Sequence, residues 1–392
     1  MARKEGLELK VARAVVEGQD WVVLELKAPK GKPLAPEAAL VMDRSGSMSG
    51  HKLEEAKAAA LTLLEAFPEE GRLGLVAYND EVLVGGFLDR KGARAFLKGL
   101  EAGGMTALHA GWEAGVELLS DPSRPRFVFL LSDGLANVGL RDPRALAAEA
   151  RRAAERGVYT YTLGFGEDYD RFLLEGMALE GGGTHRYAPL GTLRSALEEE
   201  LAFLKGPVNL GVWVRRRDEL RHLGPFAPGE RRHLLLRVRP PVSEKEVLEV
   251  GERLPGKTLS HYLPLPEPAP EGSEAWQRVR QEWVFQKGRA LLREEVDRPE
   301  KAKLWLEESR ALKELLGELP QTERGEALAQ ALEAFEERVE RLQKAFDPRR
   351  AERLHRRQIA FASQMDSEER FHMAMEHLPL DLQIDEEEEE GF

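Results

Sequence analysis

The chain alternates between two hydrophobic periods. Leu7, Leu9 and Val11 are separated by polar residues, and Val22, Leu24 and Leu26 repeat that spacing, which predicts two half-buried antiparallel strands. Pro29, Gly31, Pro33 and Pro36 break the pattern and close an N-terminal segment, residues 1–37. Between residues 38 and 205 short apolar runs alternate with helical spacing, the signature of a parallel sheet covered on both faces. A strand at Leu40–Met42 leads to a helix marked by Leu53, Ala56, Ala60, Leu63, Leu64 and Phe67 and stopped at Pro68. Arg72–Tyr78 and Glu81–Phe87 read as strands joined at Asn79-Asp80, followed by helices around Lys91–Leu100 and Ala107–Leu119. Arg126–Ser132 is a second buried strand, running into Asp133-Gly134. Helices at Pro143–Gly157, Arg171–Glu180 and Leu193–Leu204 alternate with strands at Val158–Leu163 and Thr184–Tyr187. The fold class is α/β, a doubly wound and mostly parallel sheet.

Beyond Gly206-Pro207 the period returns to two. Leu210, Val212 and Val214 alternate in Val208–Arg217, Leu234, Leu236 and Val238 in Arg232–Arg239, and Val247–Val250 adds a further strand. Residues 206–263 and 1–37 are expected to build one antiparallel sandwich into which the α/β domain is inserted; the alternative is short strands packed on the α/β unit. Residues 264–273 form a stiff proline-rich linker. A helical region follows over 274–378. Trp276, Val279, Trp283 and Ala290 mark one face, Trp305, Leu312 and Leu316 another, and Gly317 and Pro320 end the second helix. Leu328, Leu332, Phe335, Val339, Leu342 and Phe346 then trace a coiled-coil-like seam. The default reading is an intramolecular hairpin or small bundle, the sharper one a surface for a partner or a second copy. Arg349, Arg350, Arg353, Arg356 and Arg357 read as a solvated face or as partners for nearby acids. His372 and His377 lie five apart, about 140° around a helix, where metal-binding pairs need three or four. Residues 379–392 are an acidic tail, expected to be disordered.

Charge and composition narrow the partners. The formal net charge is −12, so a phosphate-tracking or anionic-membrane surface is disfavoured and a protein partner preferred over nucleic acid. There is no cysteine, which excludes disulfides, thiolate metal sites and thiol nucleophiles. No apolar segment has the length of a signal peptide or a membrane span, which reads as a cytoplasmic protein. Abundant Arg and Glu with few Asn fit a thermophile composition.

The candidate chemistry sits at Leu40–Gly50, where an apolar run ends in a carboxylate and alternating hydroxyls. Asp43, Ser45 and Ser47 are hard oxygen donors, suited to Mg²⁺ or Mn²⁺ rather than to Zn²⁺. Taken alone, the stretch is also ordinary turn chemistry, with Ser49 or Gly50 near a helix N-cap. Asp133 likewise follows the carboxyl end of a buried strand, and a doubly wound sheet gathers its ligand site at that edge. Thr106, after Gly103-Gly104-Met105, joins them or merely caps the next helix.

These residues resemble a von Willebrand factor type A domain of the bacterial intracellular type with a complete metal-ion-dependent adhesion site. Asp43-x-Ser45-x-Ser47 matches the family's D-x-S-G-S signature, Thr106 its second-loop threonine and Asp133 its third-loop aspartate. The resemblance implies that Ser45, Ser47 and Thr106 bind the metal directly, and that Asp43 and Asp133 do so directly or through water. The implied ion is Mg²⁺, with Mn²⁺ or Ca²⁺ as alternatives. It further implies that a partner's Glu or Asp completes the coordination, and that an AAA+ ATPase of the MoxR kind is a candidate partner for which the chain acts as adaptor. A tail carboxylate from Asp385–Glu390 could compete for the same position. Other chemistries fit less well. Gly46–Lys52 resembles a phosphate-binding loop, but only three residues separate its glycines and His51 interrupts Gly-Lys. Met48 stands where a nucleophile elbow needs serine. The leading function is therefore non-catalytic, metal-dependent protein binding. The alternatives are a structural or assembly subunit acting through the helical region, and a Mg²⁺-dependent phosphoryl-transfer enzyme using Asp43.

Overall fold

The structure, a computed structural model, describes residues 6–133, 135–166, 169–204, 206–240, 242, 246–293 and 299–344. The chain begins with β1 (Glu8–Val16) and β2 (Gln19–Lys27), joined by a tight turn in which Glu17 and Gly18 both take positive φ, 50° and 67°. The α/β run follows as β3 (Glu37–Asp43), α1 (His51–Ala66), β4 (Arg72–Tyr78), β5 (Val82–Phe87), α2 (Arg90–Lys98), α3 (Leu108–Leu118), β6 (Arg126–Ser132), α4 (Pro143–Glu155), β7 (Val158–Phe165), α5 (Arg171–Glu180), β8 (Gly182–Ala188) and α6 (Leu193–Leu204). Then come β9 (Gly211–Arg216), β10 (Glu219–Gly224), β11 (Arg231–Arg237), β12 (Val247–Leu254), β13 (Lys257–Pro264), α7 (Glu274–Arg293), α8 (Pro299–Gly317) and α9 (Glu323–Lys344).

Two compact units result. One holds Lys27–Glu230 and Val247–Pro264, the other Leu9–Leu26, Arg231–Glu246 and the helices after Leu265. In the first, a six-stranded sheet runs in the order β5-β4-β3-β6-β7-β8, with β5 antiparallel at one edge and the rest parallel. Every residue of β3 and of β7 is buried, as expected for strands covered by helices on both faces. Helices begin where short acids can cap them: Asp89, Asp142 and Asp170 each accept a backbone N–H in the first turn of α2, α4 and α5. Helix α3 lies close on the sheet because Gly115 leaves room for Val41, whose Cγ2 stands 2.4 Å from where a Cβ would be. A four-stranded antiparallel sheet, β10-β9-β12-β13, completes this unit.

The second unit contains the sheet β1-β2-β11 and the three C-terminal helices. Leu328, Leu332, Phe335 and Val339 of α9 are fully buried against α7 and α8, in a cluster that includes Phe285, Leu292 and Trp305. The predicted seam is thus an internal one over these residues. Val279 packs with Ala12, Ala14, Val16 and Val23 in a second cluster of this unit. The strands expected to build one sandwich are hydrogen-bonded into two sheets, one in each unit. Strands β10 and β13 were not anticipated. Leu342 and Phe346, the arginines from Arg349 to Arg357, His372, His377 and the acidic tail 379–392 lie outside the residues or side chains described. Among the described residues no helix is long and apolar enough to cross a membrane.

Candidate metal centre

The position of the site follows from strand order. After β3 the chain moves to one side of it, to β4, and later returns to the other side, to β6. This switch point opens a crevice at the carboxyl ends of β3 and β6. The parallel register sets Met42 against Leu131, and Asp43 on its other side against Tyr78. Asp43 and Asp133 therefore emerge at one level.

The first carboxylate is held from several directions. Asp43 is fully buried; its Oδ1 accepts the Ser45 N–H at 2.8 Å, and its Oδ2 accepts the Ser132 hydroxyl at 2.8 Å and the Tyr78 hydroxyl at 3.3 Å. Burial pushes its carboxyl above the usual range, the Ser45 and Ser132 bonds pull the other way, and the charge of Asp133 adds to the rise. Burial, then the Asp43 charge, push the Tyr78 phenol well above its ordinary value, so it remains a donor.

The hydroxyls and the second carboxylate form a chain of contacts. Ser45 Oγ and Ser47 Oγ stand 3.0 Å apart, and Ser47 Oγ donates to Asp133 Oδ1 at 2.8 Å. Lys52 Nζ donates to the other oxygen of Asp133 at 2.6 Å. Thr106 is buried at the start of α3, in a loop tied to both others. Gly46 N–H donates to Gly104 O (3.1 Å) and Gly103 N–H to Arg44 O (3.0 Å). The Thr106 N–H is accepted by Asn137 Oδ1 at 2.7 Å, and its carbonyl accepts the Asn137 N–H at 3.1 Å. Gly104 favours glycine: its φ is +73°, and a Cβ would stand 1.8 Å from Asp80 Oδ1, which would have to move.

All five sequence-identified residues thus lie on three loops at one sheet edge. Asp43, Ser45, Ser47 and Asp133 are linked by hydrogen bonds, and Thr106 is held beside them through the backbone. The donor set fits a small hard dication. All five side chains are hard oxygen donors, the kind such an ion prefers, and Ser45, Ser47 and Asp133 follow one another at hydrogen-bond distances of 3.0 and 2.8 Å. Among the described residues no group of three or more Asp, Glu, His or Cys side chains is placed to hold a metal ion.

Lys52, Tyr78, Ser132 and Asn137 were not singled out as parts of the site. Ser132 precedes Asp133 and is visible only once the register is known; Asn137 lies beyond the third loop and acts on the second. Asn137→Ala removes the acceptor for the Thr106 N–H and is expected to weaken Mn²⁺ binding about tenfold with the fold intact, since supporting groups typically tune metal affinity to that extent. Calorimetric titration of the full chain, alongside its circular dichroism, checks this.

Comparison with known proteins agrees with the geometry. Residues 38–190 match the profile of the von Willebrand factor type A domain. This part of the chain is an A domain. Over 175 residues the chain is 37% identical to inter-alpha-trypsin inhibitor heavy chain H3 of Homo sapiens, an alignment covering 41% of this chain and 20% of that protein. The chain thus spans about a fifth of the length of that relative. A von Willebrand factor type A protein from Catenulispora acidiphila superposes with a TM-score of 0.61 at 17% identity, covering 82% of this chain and 89% of its own. The ArnB paralog VWA2 from Sulfolobus acidocaldarius gives a TM-score of 0.62 at 15% identity, covering 92% and 98%. At such identities the likeness is one of fold, and it extends well past the A domain.

Proposed function

We propose that the A domain is a non-catalytic, Mg²⁺-dependent module that captures a Glu or Asp side chain of a protein partner. Asp43, Ser45, Ser47, Thr106 and Asp133 would hold the ion, with Mn²⁺ or Ca²⁺ as alternatives. The observation that carries this reading is the convergence of these hard oxygen donors from three loops at one sheet edge, with Asp43, Ser45, Ser47 and Asp133 joined by hydrogen bonds. The bound dication would supply electrophilicity toward a carboxylate, because only two protein carboxylates contribute charge.

The surroundings suit a protein partner. Met105, beside Thr106, and Leu135, two residues past Asp133, are 54% and 59% exposed on the loops that form the site. An acidic side chain flanked by apolar residues complements that surface. The serine hydroxyls bond to each other and to Asp133 rather than to an imidazole, which supports binding over nucleophilic catalysis. On the family resemblance alone, an AAA+ ATPase of the MoxR kind, met in the cytoplasm, is the first partner to test.

Immobilised full chain is expected to retain its partner in Mg²⁺, to release it in EDTA and to recover it when Mg²⁺ is restored. Thr106→Ala should lose that retention. Retention that persists in EDTA or in the variant would assign partner binding to another surface.

A further inference from the structure

Lys52 is not among the oxygen donors of the site, yet it touches one of them. As the second residue of α1, it places a cation in the first turn of a helix, where the helix dipole favours negative charge. Its side chain is 22% exposed, whereas that of Asp133, which it meets at 2.6 Å, is fully buried. The path of this side chain is built into the fold. A Cβ on Gly166 would stand 3.3 Å from Lys52 Nζ and 3.4 Å from its Cε, and Gly166 has a φ of +79°. Both facts favour glycine there, and glycine lets the ammonium pass.

The two oxygens of Asp133 divide their work. Oδ1 faces the serine hydroxyls and Oδ2 faces the ammonium. Asp43 and Asp133 contribute two negative charges; Lys52 offsets one, so the directly contacting groups sum to about −1 before a dication arrives and about +1 afterwards. Removing the ammonium would leave about −2 and about 0. Two cations that share one buried carboxylate oppose each other, and the cost is larger at low local dielectric.

We propose that Lys52 is an internal counter-cation of the metal centre: it occupies Asp133 when no metal is bound and lowers the affinity of the site for a dication. The proposal rests on the metal-binding reading above. It gives the centre a stable metal-free form, in which Asp133 is compensated, and an affinity set by the chain's own charge.

The test is a Mn²⁺ titration of the full chain, read by electron paramagnetic resonance of unbound Mn²⁺, for wild type, Lys52→Met, Lys52→Gln and Lys52→Arg. The neutral variants are expected to bind Mn²⁺ at least about tenfold more tightly, the lower end of what one neighbouring unit charge does to a carboxylate's proton affinity. Lys52→Arg, which keeps the charge, should stay near wild type. The neutral variants should also show a lower metal-free Tm and a larger rise on Mn²⁺ addition than wild type, a readout that serves even where the metal-free variant is poorly folded. Equal or weaker Mn²⁺ binding by both neutral variants overturns this proposal alone. Absence of Mn²⁺ binding by the wild type overturns the metal reading along with it.

Discussion

Asp43→Asn is expected to abolish detectable Mg²⁺ or Mn²⁺ binding while leaving the α/β unit folded. The substitution keeps the shape of a fully buried side chain, so no cavity opens in the sheet edge. Asn Oδ1 can still accept the Ser45 N–H. The amide nitrogen would face Ser132 and Tyr78, whose hydroxyl oxygens can also accept. What disappears is one of the two carboxylate charges of the site. Loss of supporting groups alone costs 10–100-fold in metal affinity, so loss of a charged ligand should cost at least about 100-fold. Because burial pushes the Asp43 carboxyl up, the negative charge itself is strained in the metal-free protein. Asp43→Asn should therefore unfold at the same or a slightly higher denaturant concentration than wild type in EDTA, and gain nothing from added Mg²⁺. A variant that binds Mg²⁺ as wild type does would remove Asp43 from the ligand set.

Much of this site was legible because its chemistry is local to strand ends. The apolar run before Asp43 and the one before Asp133 each announce a buried strand with a carboxylate at its tip, and the doubly wound rule brings them together. Arg72–Tyr78, Arg171–Glu180 and Leu193–Leu204 matched the observed elements to the residue, since each is bounded by a turn or a cap. The unread parts depend on information that one segment does not hold. Strand β10 has a weak apolar pattern, and its hairpin with β9 turns at Arg217, which takes a φ of +51° without the glycine or asparagine that usually marks such a turn. Strand β13 has five exposed positions and no fully buried one, and with His261 on its half-buried face and Tyr262 on its exposed one, period two carries little signal there. Lys52 could be weighed only as a phosphate-loop lysine, because its true partner lies 81 residues away. Tyr78 and Ser132 become visible at Asp43 only through the register of β4 and β6 against β3.

The largest effect on stability is expected in the other unit, at Glu282 of α7. Its carboxylate is 2% exposed, and Arg324 of α9 donates to both of its oxygens, at 2.8 and 3.3 Å. His233 Nδ1 of β11 stands 3.4 Å from Oε2. Burial alone would push this carboxyl up; Arg324 and His233 outweigh it and hold it down at about 2. Glu282→Ala leaves the Arg324 charge buried without this partner and should cost about 3–5 kcal/mol. Urea unfolding followed by fluorescence measures this, since Trp21, Trp276, Trp283 and Trp305 belong to this unit. The pH dependence has a definite sign. A carboxyl that moves from an ordinary 4.5 in the unfolded chain to about 2 in the folded one stabilises fully above about pH 4.5, and the contribution vanishes as pH falls toward 2. That difference corresponds to about 3 kcal/mol, so wild type should lose this amount across the window while Glu282→Ala stays flatter there. A pairwise origin makes one more demand. Arg324→Met in the Glu282→Gln background should cost less than in the wild type, because the buried guanidinium it removes has already lost its charge partner. Additive losses would mean that packing around Phe285, over which the Arg324 guanidinium lies at 4.4 Å, and not the ion pair, holds α7 to α9.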